Sequence, residues 1–130
     1  MAFDALGREH YISLTTFRRD GRAVLTPVQF VIDGERLLVY TKATTGKVKR
    51  LRHTPRATIA ACDMRGRPKK DAETLDVTVR FVDASEFGRA AELMNERYGL
   101  PQRILAPIRR TIERLLGRGA DPVWFELRLS

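Results

Sequence analysis

VLTPVQFVIDGERLLVYTKATTGKVKRLRHTPRATIAAC, Val24 to Cys62, changes its hydrophobic period twice, and those changes decide the fold. Val24–Ile32 and Arg36–Thr41 are short apolar and β-branched runs separated by Asp33-Gly34, a pair that tolerates positive φ and so marks a hairpin. After Thr41 the period becomes helical. Thr44-Thr45-Gly46 opens a segment in which Val48 and Leu51 form an apolar anchor, while Lys47, Lys49, Arg50 and Arg52 spread over the rest of its surface. Ala57–Cys62 then reads as strand again. A strand feeding a helix start leaves free N–H groups pointing out of that start, a geometry that binds phosphate. On its residues alone the basic run reads equally as a solvated charged face.

Working outward, Tyr11–Phe17 is a strand closed by the Asp20-Gly21 turn, so three consecutive antiparallel strands are expected. Pro27 lies inside the second of these; a residue that cannot donate to the ladder implies an edge or a bulge. In Leu75–Val82, Leu75, Val77, Val79 and Phe81 alternate with Asp76, Thr78 and Arg80, giving one buried and one wet face. The last strand sends Val123, Phe125, Leu127 and Leu129 to one side. The pattern predicts six strands. Two amphipathic helices are expected besides the basic one. The first runs from an N-cap at Ser85 to Gly99, with Phe87, Ala90, Ala91, Met94 and Tyr98 on one face; the second runs from Pro107 to Gly117. Arg65–Glu73 reads as a polar connection. One β-dominated domain over residues 1–130 is the simplest organisation.

The chain has 130 residues, 43% hydrophobic and 31% charged, with no apolar run of membrane-spanning length. No secretory signal is visible at MAFDALGREH and the lone Cys62 cannot form an internal disulfide, so a cytoplasmic protein is expected. The net charge of +8, from 24 basic against 16 acidic side chains, favours an anionic partner and leaves nucleic acid, phosphorylated cofactor and acidic lipid open.

Reactive groups are scarce. His10, His53 and Cys62 have no metal-ligand spacing, Ser13, Ser85 and Ser130 sit in no nucleophile elbow, and the carboxylates show no paired arrangement. No catalytic residue and no metal site is predicted, and any chemistry is expected to come from a cofactor. Tyr40, Trp124 and Phe125 are read as barrel core rather than as stacking platforms for single-stranded nucleic acid.

TFRRDGRAVLTPVQF (Thr16–Phe30) together with RLLVYTKATTGKVKRLRHTPRATIAACDMRGRP (Arg36–Pro68) resembles the small actinobacterial-type branch of the pyridoxamine 5′-phosphate oxidase-like superfamily. These are flavin- or deazaflavin-dependent split β-barrels. The resemblance implies a mainly β (α+β) fold: a six-stranded antiparallel split β-barrel with a few peripheral helices, forming a homodimer with the cofactor in a groove at the subunit interface. It implies coenzyme F420, with FMN as the alternative and haem in a few members, and hydride transfer to a conjugated small-molecule substrate. A non-catalytic flavin or haem carrier would use the same groove. Carried over by position, Thr26, Pro27 and Val28 would line the ring, with Gln29 making that wall more polar than the aromatic residue of many relatives. Thr41, Thr44, Thr45, Gly46, Lys47, Val48 and Lys49 would hold the phosphate end, and Arg50 and Arg52 would attract an acidic tail, with Arg65–Asp71 a second contact. Neither nucleic-acid binding nor stable membrane association is expected.

Overall fold

The computed structural model describes residues 3–42, 44–98 and 122–130. Seven strands follow in chain order: β1 (Tyr11–Phe17), β2 (Ala23–Val28), β3 (Val31–Asp33), β4 (Arg36–Lys42), β5 (Arg56–Cys62), β6 (Leu75–Phe81) and β7 (Pro122–Leu129). Helix α1 (Gly46–His53) lies between β4 and β5, and α2 (Phe87–Tyr98) follows β6 after a short 3₁₀ turn at Ala84–Glu86. The expected helix from Pro107 to Gly117 lies outside the described residues.

All strand pairs are antiparallel, in the order β2-β1-β5-β6-β7-β4-β3. β2 and β3 are the two edges of this sheet, yet only Gln29 and Phe30 separate them along the chain. The sheet must therefore curl until its edges meet, which makes it a barrel split at one seam. The seven strands are thus the six expected ones, with Val24–Ile32 bent at Gln29-Phe30 so that one half pairs with β1 and the other with β4. Pro27 sits on β2, an edge strand of the sheet, the position a residue that cannot donate to the ladder calls for. Gly34, at φ +62, turns the β3–β4 hairpin with Glu35.

The barrel interior is filled by Ile12 and Leu14 of β1, Leu37 and Val39 of β4, Ile59, Val77, and Phe125 and Leu127 of β7, with Leu51 of α1 reaching in from one end. Outside the barrel, Ala90 and Met94 of α2 pack on Val31, Leu38, Val82 and Trp124. Tyr98 fastens that helix to the bend: its hydroxyl accepts the Phe30 N–H at 3.0 Å and can donate to the carbonyl of His10 or Phe30.

Three local expectations change. Ser85 is not the N-cap of α2; its hydroxyl donates to the Asp83 carboxylate at 2.9 Å and it lies within the 3₁₀ turn. Ala91 is exposed, because α2 meets the barrel along a narrow stripe centred on Ala90 and Met94. Tyr40 is not core either: Phe125 is interior and Trp124 lies beneath α2, but Tyr40 faces outward at 46% exposure, edge-on to Trp124. No described helix is long and apolar enough to cross a membrane.

Candidate functional site: the amino end of the basic helix

β4 delivers the chain to α1 through a tight turn. Thr45 N–H donates to the Lys42 carbonyl at 3.1 Å, and the Thr45 hydroxyl bonds the same carbonyl at 3.0 Å and the hydroxyl of buried Thr41 at 3.1 Å. The Thr45 side chain is thereby turned away from the helix it precedes and makes no cap to it, so among the described residues its hydroxyl does not close off the amides at the start of α1. The first turn contains no acidic residue. Val48 and Leu51 are buried, which fixes the helix against the barrel mouth and leaves Lys47, Lys49, Arg50 and Arg52 to its free surface.

Positive charge gathers there without an answer. Arg50 folds back over the first turn, its Nε donating to Thr16 Oγ1 of β1 at 2.6 Å. Its guanidinium lies where a side chain at Gly46 would be, since a Cβ there would meet Arg50 Nη1 at 2.8 Å. Burial and the adjacent Arg50 hold the Lys47 ammonium below the ordinary lysine range, and burial with nearby Arg18 lowers Arg50 as well. The nearest carboxylate of the β1–β2 turn, Asp20, is committed to Arg22 at 2.7 Å. Among the described residues, no carboxylate pairs with Arg18, Arg19, Lys47, Lys49 or Arg50. A helix start flanked by crowded, unpaired cations could hold an anion.

Beside it lies a hollow of about 360 Å³ between the β1–β2 turn and the flank of α1, lined by Phe17, Arg18, Arg19, Lys49, Arg50 and His53. Arg50 belongs to both places. Within the hollow, Arg19 reaches the His53 Nε2 at 2.8 Å. Arg18, Arg19, His53 and Thr16 carried no sequence assignment. The signal for them was the Phe17-Arg18-Arg19 run before the Asp20-Gly21 turn, which is uninformative until the ladder lays β1 beside α1.

Of the residues carried over for the site, Thr44, Thr45, Gly46, Lys47 and Arg50 gather at the amino end of α1, with Thr41 buried just beneath. Lys49 faces the hollow instead, and Arg52 leaves the group, its guanidinium 4.9 Å over the Phe81 ring. Val48 and Val28 point into the packed interior, so only their backbones can face a ligand. Thr26 stands opposite Leu14 and Val24 opposite Thr16, which sets the TPV element about 7 Å along the ladder from the Thr16 anchor of Arg50. Gly66, at φ +85, covers Pro27: a Cβ there would lie 3.2 Å from the proline ring. Thr26 and Gln29 remain partly accessible.

Among the described residues no three His, Cys, Asp or Glu side chains gather as a metal site. Cys62 is buried and its thiol is pushed up by burial and by Asp63, an unreactive setting.

The profile of the family described as pyridoxamine 5′-phosphate oxidase matches residues 2–115. The chain belongs to that family. Solved structures share the split barrel at low identity. The haem storage protein HutZ of Vibrio cholerae is 19% identical, with a TM-score of 0.66 over 95% of this chain and 83% of that one. An F420 reductase is 20% identical, with a TM-score of 0.61 over 98% and 92% of the two chains. A protein of unknown function from Agrobacterium tumefaciens is 16% identical, with a TM-score of 0.73 over 98% of this chain and 51% of that one. No protein of curated function matches. These likenesses establish the fold that the motifs implied.

Proposed function

We propose that this member of the pyridoxamine 5′-phosphate oxidase family is a homodimeric F420-dependent oxidoreductase that passes hydride to a conjugated small-molecule substrate. The observation that carries the reading is cationic surplus. The amino end of α1, with Lys47 and Arg50, suffices for one phosphate, yet Arg18, Arg19 and Lys49 add three more unpaired cations around the adjoining hollow. FMN and F420 share a flat ring and a phosphate; only F420 continues into a chain of carboxylates that would need the hollow. When bound, the cofactor supplies the hydride.

The chain's own part is binding and orientation. Free amides of the first turn, Lys47 and Arg50 would hold the phosphate, while Arg18, Arg19 and Lys49 would draw in the tail. Thr26 and Gln29 of the bent strand are the accessible polar groups that would set the ring against the substrate, a proximity effect rather than acid-base catalysis. Leu25 on the outer face of β2 and Met64 in the loop whose Gly66 covers Pro27 are 54% and 68% exposed, apolar side chains open to a second copy of the chain.

Oxidised F420, FMN and haemin titrated against the protein at low and high salt test the reading. F420 should bind at least tenfold more tightly than FMN at low salt, and that margin should shrink as salt screens the exposed cations over about 10 Å at 0.1 M. Protein from a host without deazaflavin should purify colourless. Stoichiometric FMN in the purified protein, or haemin binding tighter than F420, would overturn it.

A further inference from the structure

Thr16 is a buried hydroxyl on the inward-facing side of β1, beyond Ile12 and Leu14, at the barrel mouth that α1 covers. Its Oγ1 accepts the Arg50 Nε–H at 2.6 Å. That bond holds a guanidinium in a place electrostatics would otherwise empty. The amino end of α1 carries the positive pole of the helix, Lys47 stands on the same turn, and burial and Arg18 already disfavour the Arg50 charge. A free arginine would swing into water, where its charge is solvated and its side chain regains conformational freedom. Gly46 completes the seat, because the guanidinium occupies the volume of a side chain at that position.

We propose that Thr16 is a positioning residue: it seats Arg50 across the first turn of α1, in the absence of ligand, and so sets the affinity of that end for a phosphate group. The proposal rests on reading the helix start as an anion site. Preorganisation is the physical advantage, since the cost of ordering Arg50 and of crowding it against Lys47 is met on folding and released when the anion arrives. The free protein is correspondingly strained by like charge, and the anion gains what that strain costs.

The test uses inorganic phosphate as the probe, with binding measured by calorimetry, and Thr16→Val, which keeps shape and removes the acceptor. Phosphate affinity should fall about tenfold in Thr16→Val and stay within about twofold in Thr16→Ser, which retains the hydroxyl. A slowly exchanging Arg50 Nε–H resonance should be visible in the ligand-free wild type and Thr16→Ser and absent in Thr16→Val, a signature that general packing damage to the variant would not restore with serine. Gly46→Ala should weaken phosphate binding by displacing the same guanidinium, and Thr16→Val/Gly46→Ala should be no worse than the more damaged single variant rather than the product of both. Equal phosphate affinity in wild type and Thr16→Val would overturn the role of Thr16 while leaving the anion site standing. Absence of any phosphate binding in the wild type would overturn the anion site, and this inference with it.

Discussion

Replacing Glu126 by glutamine should cost stability in a pH-dependent way that can be worked out beforehand. Glu126 lies on the outer face of β7 with only 4% of its side chain exposed, accepting from Arg80 Nε at 2.7 Å and from Arg36 Nη1 at 2.9 Å. Arg80, then Arg36, hold its carboxyl at about 2, against an ordinary 4.5, in spite of the burial that opposes ionisation. Arg36, itself held above its ordinary range chiefly by Glu126, is the other end of the same interaction, so the two shifts count once. The unfolded chain titrates near 4.5 and the folded one near 2, so the folded state binds fewer protons between those values. The stabilisation is complete above about pH 5.5 and is lost as pH falls through 4.5 toward 2. Its full size is about 3 kcal/mol, and about 1 kcal/mol remains at pH 3. Arg36 would keep Asp33 and Glu86 as partners, at 3.0 and 3.1 Å, so the substitution orphans no buried cation. Urea denaturation of wild type and Glu126→Gln from pH 7 to pH 3 is the assay. The stability difference should shrink by about 2 kcal/mol over that range. A difference that stays flat with pH would show that the loss comes from packing, and would refute the charge argument.

Lys47→Ala should weaken F420 binding more than tenfold, as expected for one charge-assisted contact worth on the order of 1.5–3 kcal/mol, and leave the melting temperature of the cofactor-free protein nearly unchanged. Unaltered affinity would return α1 to a merely solvated basic face. Light scattering should give a mass near twice 14.8 kDa, and a monomer that still binds cofactor tightly would remove the shared groove from the reading.

The strands were legible in the sequence because a sheet with one dry face writes a period of two into its residues. Val77 and Val79 buried, with Asp76, Thr78 and Arg80 exposed between them, is that rule read directly. Gly34 and Pro27 were equally legible, each through a backbone property it carries anywhere. The cationic character of Gly46–Arg50 was visible as residue types, and the family as a pattern of motifs. The bend at Gln29-Phe30 was not, because Val24–Ile32 is continuously strand-like and only closure of the barrel requires one half to face β1 and the other β4. Nor could local pattern separate Lys47 from Arg52. Both are cations on one short helix, but the docking of Val48 and Leu51 into the barrel mouth turns one toward Arg50 and lays the other on Phe81. Thr16 and Arg18 meet Arg50 across more than 30 residues of chain. Sequence determines which groups are available and where the chain must turn. Which charges are left facing one another without a counterion is a property of how β1 and α1 pack, because electrostatic interaction depends on distance in space and on exclusion of water, and neither is written along the chain.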